Sequence, residues 1–191
     1  MSEGASDDVN VHNSGKRTEE CRRMVDHALT RNPVVKFMVE KLEEAGCPVG
    51  ERFFSLESCS EEVGGGFRVP DGVIVCSNHL SAQEEVSHVL THELIHAYDH
   101  CRGADLDWTN CEHHACSEVR AASLSGDCHF KQELLRGNTG FRGQHQRCVR
   151  RRAELSVGMN DYCKGPGCAK RAVDNVFDRC FADTAPFDRI P

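Results

Sequence analysis

The chain has 191 residues, 39% hydrophobic and 28% charged, which suffices for one domain with a core and excludes a collagenous, low-complexity or wholly disordered chain. Its 23 Lys and Arg against 30 Asp and Glu leave a net charge of −7, which disfavours nucleic acid as a partner recruited by bulk charge. The longest apolar runs, such as Val73 to Cys76, fall far short of the roughly 20 residues that span a bilayer.

Residues 1–17 are polar and lack an apolar period, so they read as a disordered tail ahead of a single domain over 18–191. The tail has no apolar stretch and carries acids from Glu3 to Asp8, unlike a secretory signal or a usual mitochondrial presequence. From Thr18 to Gly46 the pattern is helical, with Pro33 placed to open a second helix and Gly46 to close it. Arg52 to Asn78 reads as strand: Phe53 and Leu56, then Gly64-Gly65-Gly66, Phe67 to Val69, a Pro70-Asp71-Gly72 turn, and Val73-Ile74-Val75. That spacing predicts a small antiparallel β-meander. Ser81-x-x-Glu84 has capping-box spacing for a helix to about Arg102, and Thr109-x-x-Glu112 opens another that Gly126 ends. Helical stretches over Gln144 to Val157 and Gly167 to Ala182 follow, parted by Lys164-Gly165-Pro166-Gly167. The layout is α+β, a small sheet followed by a helical bundle.

Twelve cysteines with no C-x-x-C pair lack zinc-ribbon and thioredoxin spacing, so disulfides are the better account. Dense disulfides without a signal peptide conflict, and the mitochondrial intermembrane space, where oxidative trapping can replace a presequence, resolves the conflict. The alternative is twelve reduced cysteines packed as small hydrophobes. Connectivity does not follow from spacing.

The helix after Ser81 contains His92-Glu93-Leu94-Ile95-His96. Residues four apart share a helical face, so an H-E-x-x-H motif points two imidazoles at one zinc while the Glu acts on a water. With 11 His and 17 Glu, chance gives about 0.06 such matches. Val86, Leu90, Leu94, Ala97 and Cys101 form an apolar stripe on the opposite face, so the helix can bury one side and present both histidines on the other. Zinc held this way lowers the pKa of a water toward about 7, and Glu93 would take its proton and return it to the leaving amine.

A zinc hydrolase needs a third protein ligand. Asp99 and His100 lie on the same helix, which rarely wraps three ligands around an ion without bending. Asp99 also stands where the metzincin extension requires Gly. Glu118, 22 residues past His96 on the next helix, is the favoured third ligand, because Ala115, Ala121 and Ala122 allow close packing there; His113 and His114 are alternatives. His145, Tyr98 and His114 are unranked candidates for stabilising an oxyanion. Val73 to Val75 is a candidate edge for an extended substrate or, at least as readily, an ordinary core strand. The basic run Arg147, Arg150, Arg151 and Arg152 reads as a solvated face or, less readily, a patch for anionic lipid. Trp108, beside Asp105, Leu106 and Asp107, either caps the site or anchors a loop.

HELIHAYDHCR (His92 to Arg102), ACSEVRAASLSGDC (Ala115 to Cys128) and VDNVFDRCF (Val173 to Phe181) closely resemble the mitochondrial inner membrane metalloprotease family called ATP-twenty-three, some members of which carry a Ku-binding description. The resemblance covers roughly Cys21 to Pro191. It implies His92 and His96 as zinc ligands, Glu93 as the catalytic residue, and a zincin-like, disulfide-stabilised metallopeptidase domain over 18–191. It also implies an intermembrane-space protein, peripheral on the inner membrane, that matures the precursor of a membrane subunit of ATP synthase and assists its assembly; nucleic acid is not expected as a partner. The Gly/Pro turn between Cys163 and Cys168 departs from the family pattern and leaves their pairing open. Two rivals come from other classes: a non-catalytic assembly factor, disfavoured by the retained Glu93, and a nuclear Ku-associated repair adaptor, which would keep its cysteines reduced.

Overall fold

A computed structural model describes residues 5–103 and 106–191, with side chains from residue 15 onward. The elements in chain order are α1 (Ala5–Arg31), α2 (Pro33–Glu44), β1 (Phe54–Glu57), β2 (Gly65–Arg68), β3 (Gly72–Cys76), α3 (Gln83–Arg102), α4 (Cys111–Leu124), α5 (Phe130–Leu135), α6 (Gln144–Met159), a 3-10 turn (Asp161–Cys163) and α7 (Cys168–Ala182). This is the expected α+β class. Helix α1 begins at Ala5, and near residue 17 it meets the rest of the fold, where Arg17 donates to the Asn78 carbonyl at 3.2 Å. Residues 1–4 lie outside the described residues.

The hairpin at Pro33 forms as the sequence predicts. Asn32 caps α2 by accepting from the Val34 and Val35 amides at 2.9 and 3.1 Å, with proline at the first helical position, where no amide is needed. Gly46 then closes the helix at φ +88°. Both later caps shift by one residue. Glu85, not Glu84, accepts from the Ser81 and Ala82 amides, because Glu84 reaches across to Lys131 at 2.9 Å. Asn110, not Thr109, caps α4, because Asp107 already holds the Thr109 amide and hydroxyl.

The sheet is not the expected antiparallel meander. Its order is β1-β3-β2, with β1 parallel and β2 antiparallel to β3. The physical reason lies in β3, whose five residues are all buried; a continuous apolar run gains most from the centre, covered on both faces. The chain therefore crosses from β1 past β3, and the Cys59–Cys76 disulfide and the Asn78 side chain, bonded to both the amide and the carbonyl of Cys59, fix that crossing. The glycines of β2 let it approach α3 closely. A Cβ at Gly65 would lie 2.5 Å from the Ile74 carbonyl oxygen and 2.9 Å from Val89, and one at Gly64 would lie 2.6 Å from Val89.

Two cores result. One packs Val35, Met38 and Leu42 of α2 and the valines of β3 against Val86, Leu90 and Leu94 of α3, which is the apolar stripe read from the sequence. The other packs Ala115, Val119 and Ala122 of α4 against Val149, Ala153, Val173 and Phe177 of α6 and α7. Helix α4 belongs to both, since Ala121 and Leu124 face the first. Its small residues allow this double approach.

Five disulfides join these layers: Cys47–Cys101, Cys59–Cys76, Cys111–Cys163, Cys116–Cys180 and Cys128–Cys148. Each closes a loop whose removal typically costs about 2 to 4 kcal/mol. Cys21 is buried in the first core, and Cys168 is free, its sulfur 3.8 Å from that of Cys111. Alkylation of unfolded, unreduced protein should therefore label Cys21 and Cys168 alone. Labelling of all twelve cysteines would contradict the fold's covalent frame.

Candidate metal centre

The two core-forming helices α3 and α4 meet across a cleft of about 700 Å³, whose lining includes His92, Glu93, His96, Trp108, His114 and Glu118. Helix α3 presents His92 and His96 one turn apart, their ring centroids 4.8 Å from each other. From α4, Glu118 enters between them: Oε2 lies 3.5 Å from His92 Nε2 and Oε1 lies 3.5 Å from His96 Nε2. One donor atom from each of the three residues lies within 4.8 Å of the others.

The donor chemistry fits a divalent cation. Glu118 is 6% exposed, yet its Oε2 has no hydrogen-bond partner among the described residues. A buried carboxylate oxygen left so costs free energy unless a cation meets it. Two imidazole nitrogens and one carboxylate are also the ligand set of an open zinc site.

Each donor is held from behind. His96 Nδ1 lies 2.7 Å from Ser117 Oγ, which donates to Asp99 at 2.9 Å. Since that hydroxyl gives its proton to Asp99, it accepts from Nδ1–H and leaves Nε2 as the free donor atom. Asp99 is fixed in turn by Arg120 Nε at 2.9 Å. Arg120 is 1% exposed; it also binds the Asp183 carboxylate and the carbonyls of Asp183 and Ala185, tying the C-terminal segment to this chain of contacts. His114 holds Glu118. Asn160 donates to His114 Nδ1 at 2.9 Å, so Nε2 carries the proton and donates to Glu118 Oε1 at 3.2 Å.

The electrostatics of the protein chain alone set these groups apart. Burial dominates at His96 and pushes its pKa down to about 3. At His92 burial also pulls downward, but the Glu118 carboxylate 3.5 Å away and the charge of Glu93 raise it to about 9. Burial, with the Glu118 charge adding to it, pushes Glu93 up to about 7, against His92 and a backbone hydrogen bond from Phe67 of β2. Glu118 is held well below the usual carboxylate range: burial opposes this, and His96, His114 and His92 outweigh it.

The other residues singled out from the sequence separate clearly. Asp99 sits behind His96, and His113 accepts from the Asp107 amide through Nδ1; neither joins the donor group. His100 packs against Phe67 and Trp108. Of the oxyanion candidates only His114 lines the cleft, and its Nε2 is engaged by Glu118; His145 lies against Phe181 and Tyr98 against Arg102. Trp108 does cover the site, 5.8 Å from the His96 ring and 5.9 Å from that of His114; its neighbour Asp105 lies outside the described residues. Of the two readings of Val73 to Val75, the core strand holds and the substrate edge does not: β3 is central, and the edge bordering the cleft is β2, through Gly65, Gly66 and Phe67. Sequence reasoning missed Ser117, Arg120 and Asn160, whose partners lie far along the chain.

The chain matches the peptidase M76 family over residues 19–188. It is 45% identical over 177 residues to the "mitochondrial inner membrane protease ATP23 homolog" of Homo sapiens, covering 91% of this chain and 71% of that one. Against the Xenopus laevis homolog it is 44% identical, covering 90% and 74%, and against the ATP23 protease of Meyerozyma guilliermondii 38% identical, covering 96% and 76%. No solved structure matches it. With the family spanning nearly the whole chain and the donor cluster inside the matched span, the chain belongs to the peptidase M76 family.

Proposed function

We propose that this peptidase is a zinc metalloendopeptidase of the mitochondrial intermembrane space, peripheral on the inner membrane, which removes a precursor segment from a membrane subunit of ATP synthase and assists that subunit's assembly. The observation that carries the enzymatic part is the convergence of His92, His96 and Glu118 with Glu93 beside them, in a cleft bordered by an open strand edge. The names of the relatives support the inner-membrane setting, and the five disulfides support an oxidising compartment. No helix among the described residues is long and apolar enough to cross a membrane.

Zinc on His92, His96 and Glu118 would supply a Lewis acid that polarises a peptide carbonyl and makes a water acidic near neutral pH. The residues of the chain do the rest. Glu93, with its pKa raised to about 7, suits a group that takes a proton from water and gives it to the leaving amine near pH 7. The unpaired edge of β2 offers backbone groups to an extended substrate, and Trp108 screens the cleft from solvent. Ser117 and Asp99 hold His96 in one tautomer.

Metal uptake tests the donor set. His92 is protonated at pH 7 in the chain alone, with a pKa of about 9, and must be neutral to ligate. Zinc binding at pH 7 should therefore release about one proton, and apparent affinity should rise with pH until about 9. Calorimetry in buffers of different ionisation enthalpy should find one zinc per chain with that release. Glu118→Gln should lose zinc retention sharply and His100→Ala should not; the reverse ranking would move the third ligand onto α3.

A further inference from the structure

The basic run of α6 is largely spent inside the fold. Arg150 pairs with Asp174 at 3.1 Å, Arg151 with Glu133 at 2.7 Å and Arg152 with Asp127 at 2.7 Å, so these three do not make the lipid patch weighed from sequence. A different surface does have that chemistry. Phe130 and Phe141 stack at 4.9 Å on the outside of the protein, beside Leu134 and Leu135 of α5. Phe141 is 78% exposed and Leu135 74%, against the usual tendency to bury such side chains.

Of the four basic residues between 130 and 147, Lys131 pairs with Glu84 and Arg136 with Asp127 and Glu133, so the charge beside this apolar tip is that of Arg142 and Arg147. Arg147 donates to the carbonyls of Gly140 and Arg142, which sets its charge next to Phe141. Among the described residues neither Arg142 nor Arg147 pairs with a carboxylate. Apolar side chains flanked by two uncompensated arginines match the boundary of an anionic bilayer, where the rings enter the acyl margin and the guanidiniums meet phosphates.

We propose that this tip, Phe130, Leu134, Leu135 and Phe141 with Arg142 and Arg147, docks the protein onto an anionic phospholipid surface. The inference deepens the inner-membrane part of the proposed function. Helix α6 starts three residues after Phe141, and its far end, through Leu155 and Met159, lines the metal cleft. Gln144 and Leu155 are about 17 Å apart along it, so docking and cleavage occupy opposite ends of one rigid element.

Vesicle flotation of the full chain tests this, with phosphatidylcholine alone and with about a fifth of it replaced by cardiolipin. The protein should float with the anionic vesicles and not with the neutral ones, and added salt should weaken the association. Arg142→Glu, and separately Leu135→Ser with Phe141→Ser, should each lower anionic binding about ten-fold or more. Both variants should keep wild-type cleavage of a soluble peptide, because none of these residues lines the cleft. Equal flotation with both vesicle types, or wild-type flotation of both variants, would overturn the docking surface. So would variants that float normally yet fail only on the intact membrane-protein precursor, which would make the tip a protein contact. A wild-type protein that floats selectively but cleaves nothing would remove the proposed activity and leave the docking surface standing.

Discussion

Arg120→Met is expected to destabilise the protein by about 3 to 5 kcal/mol, the usual cost of stranding a buried charge. Its guanidinium is among the most deeply buried charges in the chain and spans three segments: Asp99 of α3, its own helix α4, and the carbonyls of Asp183 and Ala185 beyond α7. Without it Asp99 keeps only Ser117 and the half-exposed Arg102. For a chain of this size the loss corresponds to a fall in melting temperature of about 6 to 20 °C. Zinc affinity should fall with it, by about 10- to 100-fold, because the Asp99–Ser117 pair that orients His96 loses its anchor. Removing both charges, as Asp99→Asn with Arg120→Met, should recover part of the stability, since neither partner is then left buried alone. A single variant that melts with the wild type would show that Arg120 does not brace the metal site.

How far the sequence could be read follows from the range of the forces involved. The α3 stripe and the α2 cap depend on residues three or four apart, and both were legible. The approach of α4 to α3 at Glu118 was legible too, because small residues around it announced a close helix contact. The caps of α3 and α4 slipped by one residue because distant Lys131 drew Glu84 away and local Asp107 occupied Thr109. Strand order was not legible: the apolar run of β3 favours a covered, central position but does not say which strands flank it or in which direction they run. Asp99 was a weaker candidate ligand, since one helix rarely wraps three ligands around an ion; the contacts it makes, to Ser117 and Arg120, 18 and 21 residues away, were not legible. The disulfide pairing, with separations from 17 to 64 residues, is likewise a property of the folded packing.

Glu93→Gln is expected to lower peptide-bond cleavage about 10²- to 10⁴-fold while leaving fold and metal binding in place. Glu93 is 7% exposed and lies beside the His92–His96–Glu118 cluster without belonging to it. The amide keeps the side chain's volume and can still meet the Phe67 backbone, but it cannot take a proton from water. The drop should be in kcat, since the strand edge proposed to hold substrate, on β2, is untouched. A purely structural metal site would show no such dependence, because it gains nothing from a base.

The most direct measurement is cleavage of the precursor as metal-stripped protein is titrated with zinc, wild type beside Glu93→Gln. On this account wild-type activity rises linearly and breaks at one zinc per chain, while Glu93→Gln takes up the same single zinc and stays flat. Wild-type cleavage that persists in excess chelator, or a Glu93→Gln curve that follows the wild type, would contradict it.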